Sequence, residues 1–334
     1  MQRWLQFTAA PSDPLSYFSG ANGQKHYSML HLNALYDLKS NLYMDAVVQK
    51  RKEANENAAL VQMVDRSDIA GPAIVIADRG YEAYNTLEHI ARKGWKYLIR
   101  LRDANGIITS LALPDGDFDL SVQLQLTRKQ TKTVKNLQKE HPGIYRFLPT
   151  NVNFDYLPLK SEGFYPFSFR IVRFKISDDT TETLITNMDR DFFPAEELKH
   201  LYHLRWGIET SFRHLKYTVG LSQFQSKKVE YIIQEIFARL RFFRDLEEIK
   251  QLVLGNPNEK YMIFVDSRDS GRALADALGK DRATYLDAES KGTKEMTKLL
   301  KEQTFDRQVL VTTKVLDCGI NLWDNRLRHI VTVT

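Results

Sequence analysis

The stretch Ala73-Ile74-Val75-Ile76-Ala77 narrows the choice of fold more than any other part of this 334-residue chain. It follows the breaker pair Gly71-Pro72 and stops at Asp78-Arg79-Gly80-Tyr81. An unbroken apolar run between such boundaries predicts a strand buried on both faces of a sheet. A helical stretch to Lys93 and a second strand over Lys96–Leu101 complete a β-α-β unit, so the chain is α/β. Asp78 then stands at the carboxyl end of a central strand, where open α/β sheets place their ligands. An ordinary N-cap of the next helix explains an aspartate there equally well.

Upstream, Met1 to Gly23 holds Pro11, Pro14, Gly20 and Gly23 and reads as loop. Two β-rich runs follow, Tyr27–Tyr36 and Tyr43–Gln49, joined at Ser40-Asn41, and then helical spacing over Glu53–Val64. Downstream, from Asp103 to Thr186, the pattern turns to short β-like runs such as Phe167–Ile176 and Glu182–Ile185, with one helix over Lys129–Lys139. This predicts a β-rich insertion at about 103–188.

Beyond the insertion, Pro194 with Glu196 and Glu197 marks a helix entry. Over Leu201–Lys216, Leu201, Leu204, Ile208, Phe212 and Leu215 form one apolar stripe at about 100° per residue. Tyr202, Arg205, Glu209 and Lys216 share an adjacent edge. A solvated charged face accounts for that edge by geometry alone. A second helix is expected from Val229 to about Leu246.

The linear arrangement of these residues resembles a known family. Tyr202, Arg205, Glu209 and Lys216 match in spacing the tyrosine–arginine–glutamate–lysine signature of insertion-sequence-four (IS-four) family transposases. Ile76-Ala77-Asp78-Arg79-Gly80-Tyr81 resembles that family's second catalytic-aspartate segment. Further likeness lies in His31–Asp37 and Lys227–Phe237, so the similarity runs from about Leu5 to Leu240. The resemblance implies a ribonuclease-H-like core interrupted by the β-rich insertion. It implies metal-dependent strand cleavage and transfer at transposon ends, with two Mg2+ ions on an Asp–Asp–Glu triad. Hard divalent cations take carboxylate oxygens, and Asp78 and Glu209 would be two of the three catalytic ligands. Tyr202, Arg205 and Lys216 would grip the DNA phosphates beside the scissile bond. Double-stranded DNA is the implied partner, and such enzymes act as homodimers on paired ends.

One departure stands out. The family's first aspartate sits in an Asp-Gly-Ser/Thr segment that should lie just before Leu5-Gln6-Phe7-Thr8, where this chain reads Met1-Gln2-Arg3-Trp4. The expectation is an amino-terminally truncated domain whose catalysis is impaired. A non-catalytic DNA-binding remnant or fusion product is the alternative.

A second buried-strand run, Tyr261-Met262-Ile263-Phe264-Val265, opens another β-α-β series. Tyr261–Leu278 and Val309–Asp324 resemble the second motor domain of superfamily-two helicases, and Thr312–Asn321 its motif five. Thr313, Asp317, Gly319 and Asn321 would be its motif residues. No G-x-x-x-x-G-K-[ST] loop occurs in the chain, which argues against a helicase-related protein hydrolysing ATP by itself. The expected division is therefore 1–241, transposase-like, and 242–334, a partial RecA-like α/β domain resembling the helicase carboxyl-terminal part.

Charge agrees with a polyanionic partner. The net charge is +5, and the basic residues cluster: five between Tyr202 and Lys228 against Glu209 alone, and five between Ser121 and Glu140 against Glu140 alone. The single cysteine, Cys318, excludes an intramolecular disulfide and a thiolate zinc site. With no signal peptide and no membrane-spanning apolar run, a soluble cytoplasmic protein is expected.

Overall fold

The computed structural model describes residues 2–7, 13–18, 26–103, 106–177, 180–217, 221, 224, 226–313, 322 and 324–333. The chain divides into two compact units. One comprises Met1–Gln6, Ser12–Leu38 and Met44–Thr210, and the other Phe7–Pro11, Lys39–Tyr43 and Ser211–Thr334. No described helix is long and apolar enough to cross a membrane.

The first strands are β1 (Gln2–Phe7), β2 (Tyr17–Phe18), β3 (Tyr27–Asp37) and β4 (Leu42–Lys50). They form one sheet in which β3 pairs with the other three. The opening segment, expected to be loop, thus contains β1. Along β3 both faces are covered: Leu30 and Leu32 are buried, and so are His31 and Asn33 between them. Burial pushes the His31 imidazole down to about 4.

Next comes α1 (Glu56–Arg66), capped by the Asn55 side chain, which accepts from the Ala58 amide at 3.0 Å. Its buried residues Ala59, Leu60, Met63 and Val64 recur at helical spacing. The β-α-β unit follows as β5 (Ile74–Ala77), α2 (Tyr84–Arg92) and β6 (Lys96–Arg100), with β5 and β6 parallel and Ala77 opposite Ile99. After it lie β7 (Phe118–Thr127), α3 (Lys132–Glu140), β8 (Tyr145–Phe147), β9 (Phe164–Ser177) and β10 (Thr180–Thr186).

These strands join one six-stranded sheet in the order β5-β6-β10-β9-β7-β8. The β-rich segment therefore continues the sheet of the β-α-β unit, through antiparallel pairing of β10 with β6. That places β5 at the edge of the described sheet rather than at its centre. Its two faces are nonetheless packed. Val75 and Ala77 belong to the large core with α1 and α2, whereas Ile74 and Ile76 rest, partly buried, against a second cluster. The second cluster contains Leu98, Val172, Leu184, Leu198 and Tyr202. Each fully buried side chain of this kind contributes about 1.5–3 kcal/mol relative to exposure. Leu198 and Tyr202 come from α4 (Ala195–His203), so this cluster seats α4 on the β5 face.

His89 ties α2 to its neighbours. Its Nδ1 lies 2.9 Å from Asp65 Oδ1 and its Nε2 2.9 Å from Asp155 Oδ2. Two carboxylate acceptors require both ring nitrogens to carry protons, which is the imidazolium form. Burial alone would lower the pKa, but the bonds and charges of Asp65 and Asp155 outweigh it and raise it. A raised folded-state pKa contributes stability fully below the unfolded value of about 6.5 and loses it as pH rises through the folded value. Thermal melts of wild type and His89→Gln are expected to differ most near pH 6 and to converge toward pH 9. A gap that widens with pH contradicts this assignment.

In the other unit, α6 (Val229–Gly255) is a continuous helix of 27 residues that passes through position 241 and runs beyond the expected end near Leu246. It leads to β11 (Lys260–Val265), α7 (Arg268–Leu278), β12 (Ala283–Leu286), α8 (Lys294–Glu302), β13 (Val309–Thr312) and β14 (Leu327–Val333). The sheet order is β12-β13-β11-β14, and every pair is parallel. The buried-strand reading of Tyr261–Val265 matches β11, whose Tyr261 and Ile263 are fully buried. A buried ion pair closes the sheet's amino-terminal end: Lys260 Nζ lies 2.6 Å from Asp324 Oδ2 and also donates to the Phe305 carbonyl. Burial would raise the Asp324 pKa, but Lys260, Thr304 and the Arg326 amide hold it down to about 2.

Candidate active site

Asp78 follows β5 directly and also caps the turn Arg79–Tyr81, with Oδ1 accepting from the Gly80 amide at 2.9 Å. The strand-end reading and the N-cap reading therefore describe the same residue. Asn57 of α1 steadies this turn by donating from Nδ2 to the Gly80 carbonyl at 3.1 Å. Its own Oδ1 accepts from Thr86 Oγ1 at 2.8 Å. Tyr81 is buried beneath, and burial, then the charges of Glu56 and Asp78, push its phenol well above the usual range.

The single helix expected over Leu201–Lys216 is two helices. After α4, Leu204 and Arg205 form a turn, and α5 (Trp206–Tyr217) begins. The amides of Arg205, Gly207 and Ile208 each reach back three residues to a carbonyl, a tighter winding than the α-helix. Gly207 in this turn leaves room for Leu38, whose Cδ2 would lie 2.7 Å from a Cβ there. The break shifts the helical phase. Leu204, predicted apolar and inward, is 51% exposed, whereas Tyr202, predicted on the outward edge, is 5% exposed. Ile208, Phe212 and Leu215 are buried as expected.

The break also groups the charged residues. Arg205 Nη1 donates to Glu209 Oε1 at 2.7 Å. The guanidinium lies 5.6 Å from the Tyr202 ring centroid and 4.8 Å from that of Trp206. Its Nε is buried and has no hydrogen-bond partner among the described residues. Burial would lower the Arg205 pKa, but Glu209, Tyr202 and Asp78 raise it. Burial pushes the Tyr202 phenol up to about 12, opposed by Arg205 and reinforced by Glu182 and Asp78. Asp78 thus shares one electrostatic neighbourhood with Tyr202 and Arg205, and Glu209 joins it through Arg205. Lys216 stands two turns beyond Glu209 on α5, half-buried, with its Nζ 5.1 Å from the Tyr217 ring centroid.

Sequence reasoning overlooked Arg100 and Glu182. They pair at 3.2 Å across β6 and β10, and both act on Tyr202. No local signal marks them, because a pairing between distant strands brings them together. Of the helicase-like positions, Thr313 follows β13 and its carbonyl accepts from Thr312 Oγ1 at 3.2 Å. Asp317, Gly319 and Asn321 lie outside the described residues.

As donors for a hard divalent cation, Asp78 and Glu209 are of the right kind. Each has one oxygen in a hydrogen bond and the other without one among the described residues. Among those residues no group of three or more His, Cys, Asp or Glu is placed to hold a metal ion. Mg2+ commonly takes only one or two protein carboxylates and completes its shell with water and phosphate. The pair does not make up a two-ion site.

No curated protein matches the chain. Among solved structures, the crystal structure of the Pyrococcus furiosus Hef helicase domain is 18% identical, over 42% of this chain and 39% of that one, with a TM-score of 0.23. The chain thus spans about two fifths of that protein's length, and the superposition is too loose to define a shared fold. The sequence model of the transposase DDE domain matches residues 6–241, well over half of the chain and inclusive of Asp78, Tyr202, Arg205, Glu209 and Lys216. The chain therefore belongs to the transposase DDE domain family.

Proposed function

We propose that the chain acts on transposon-end DNA as a DDE transposase of the IS-four type, with a ribonuclease-H-like core. Asp78 and Glu209 are its metal-binding carboxylates. The observation that carries this reading is the electrostatic grouping of Asp78, Tyr202, Arg205 and Glu209 from two separate elements, the end of β5 and the α4–α5 break. When bound there, Mg2+ would supply Lewis-acid polarisation of a phosphate oxygen, and Asp78 and Glu209 would hold it. Arg205 bonds Glu209 and brings its positive charge to the phosphate backbone. Tyr202, fixed by burial and neutral at physiological pH, supplies a hydroxyl to the same backbone. Lys216 adds a point charge farther along α5.

Asp78 and Glu209 are two members of an acidic triad whose third member is not identified among the described residues, and weak cleavage is the expected outcome. A non-catalytic DNA-binding role is the second reading. The division at 241 rests on where the family match ends, inside the continuous helix α6. The parallel sheet of β11 to β14 supports a partial RecA-like domain after it. Action as a homodimer in the cytoplasm completes the reading.

The test is to incubate the purified chain with its transposon-end duplex. Binding in EDTA is expected, with at most weak Mg2+-dependent nicking that Asp78→Ala removes. Rapid cleavage by this chain would refute impairment, and absence of DNA binding would refute the reading as a whole.

A further inference from the structure

We infer that a cleft beside Asp78 is a separate backbone-phosphate subsite, in which Arg79 and Arg102 hold successive phosphates of the DNA strand. The inference rests on the proposed action on DNA, and neither arginine belongs to the tyrosine–arginine–glutamate–lysine signature. The cleft, of about 540 Å³, is lined by Asn55, Glu56, Asn57, Asp78, Arg79 and Arg102, among others. Its position follows from the sheet. Because β5 and β6 run parallel with Ala77 opposite Ile99, the residues just past each strand, Asp78 and Arg102, emerge at the same end. The first turn of α1 closes another side through the bond from Asn57 to Gly80.

The main chain at Arg102 is held in place from below. The carboxylate of Glu82 accepts from the Arg102 amide at 2.8 Å and from the Ile107 amide at 2.6 Å. Gly106 makes room for this clamp: its φ is +113°, and a Cβ there would lie 2.1 Å from Glu82 Oε1. The Arg102 side chain itself is exposed, and its charge also helps to hold the Glu82 carboxylate ionised. Arg79 is likewise exposed and unpaired, on a turn fixed by the Asp78 cap. Both guanidinium groups are therefore open to solvent at the cleft, free to meet phosphate oxygens with their planar forks.

The acids in the cleft make the arginines necessary. Asp78 and Glu56 repel a phosphate, so an anionic strand approaches Asp78 only where positive charge offsets them. Guanidinium forks match phosphate oxygens bidentately and would fix the register of the strand beside the carboxylate.

The test is fluorescence anisotropy with the full chain and a labelled duplex of about 30 base pairs, in EDTA, across a salt series. Each phosphate contact on duplex DNA contributes about 0.9 to the slope of log affinity against log salt. The double variant Arg79→Gln/Arg102→Gln is expected to bind more weakly, with a slope about 2 shallower. The variant Arg79→Lys/Arg102→Lys is expected to keep the wild-type slope. Wild-type slope and affinity in the glutamine variant overturn the subsite, as does an equal loss in both variants, which would reflect the fold and not the charge. If wild type itself fails to bind DNA, the functional reading falls and the subsite with it.

Discussion

Glu209→Gln is expected to weaken Mn2+ binding by about 100-fold or more while leaving metal-free DNA binding close to wild type. The size follows from the donor count. Loss of an outer-shell partner of a metal ligand alone typically costs 10–100-fold, and here one of only two carboxylates is removed. The amide still accepts from Arg205, so the α4–α5 turn keeps its bond at the Glu209 position. DNA binding survives because the phosphate-gripping groups remain. Arg205 should bind DNA slightly better in this variant, since its competing charge partner is gone. Calorimetric titration with Mn2+ checks the first part and a filter-binding assay in EDTA the second. Equal Mn2+ affinity in the two proteins would remove Glu209 from the metal site.

The largest effect on stability is expected at Arg170. From β9 its guanidinium grips Asp119 of β7 bidentately, with Nε and Nη2 each 2.7 Å from a carboxylate oxygen. Its Nη1 donates to the Phe193 carbonyl at 2.7 Å, in the segment that leads into α4. Arg170 is 5% exposed. Burial would raise the Asp119 pKa, but the bonds and charge of Arg170, aided by Arg190, lower it. Arg170→Met keeps much of the side-chain volume but leaves a half-buried carboxylate and a carbonyl short of a partner. Breaking a buried pair from one side costs about 3–5 kcal/mol. Because Arg190 still reaches Asp119, the lower end applies: about 3 kcal/mol, or a Tm lower by about 6–12 °C. Arg170→Lys should recover only part of the loss, because an ammonium cannot reproduce the fork. Thermal melts of the three proteins decide it, and a shift of less than 2 °C in the methionine variant would refute the clamp.

Arg170 also shows where reading from sequence stops. Asp78 was legible because an apolar run ended on it, and Glu209 because four residue types stood at one spacing. Both are local signals. The clamp of Asp119 by Arg170 and the Arg100–Glu182 pair depend on which strands become neighbours, and nothing near those residues states that β10 lies beside β6. The apolar run Ala73–Ala77 predicted two covered faces correctly. It did not reveal that β5 sits at the sheet edge, because hydrophobicity reports burial and not the number of hydrogen-bonded neighbours. The α4–α5 break escaped for a related reason. Leu201 to Lys216 fits one helical wheel, and the change of winding shows only in the backbone bonds of Arg205, Gly207 and Ile208. That change buries Tyr202 and brings Arg205 onto Glu209, so the motif is read in sequence but assembled by packing.

The most direct test of the central claim is a crystal of the chain soaked in Mn2+ and measured at the manganese absorption edge. An anomalous peak is expected within coordination distance of both the Asp78 and the Glu209 carboxylates and absent from Asp78→Asn crystals. A peak that touches only one of them, or none at either, would contradict the claim that β5 and α5 together build the metal site of a DDE transposase domain.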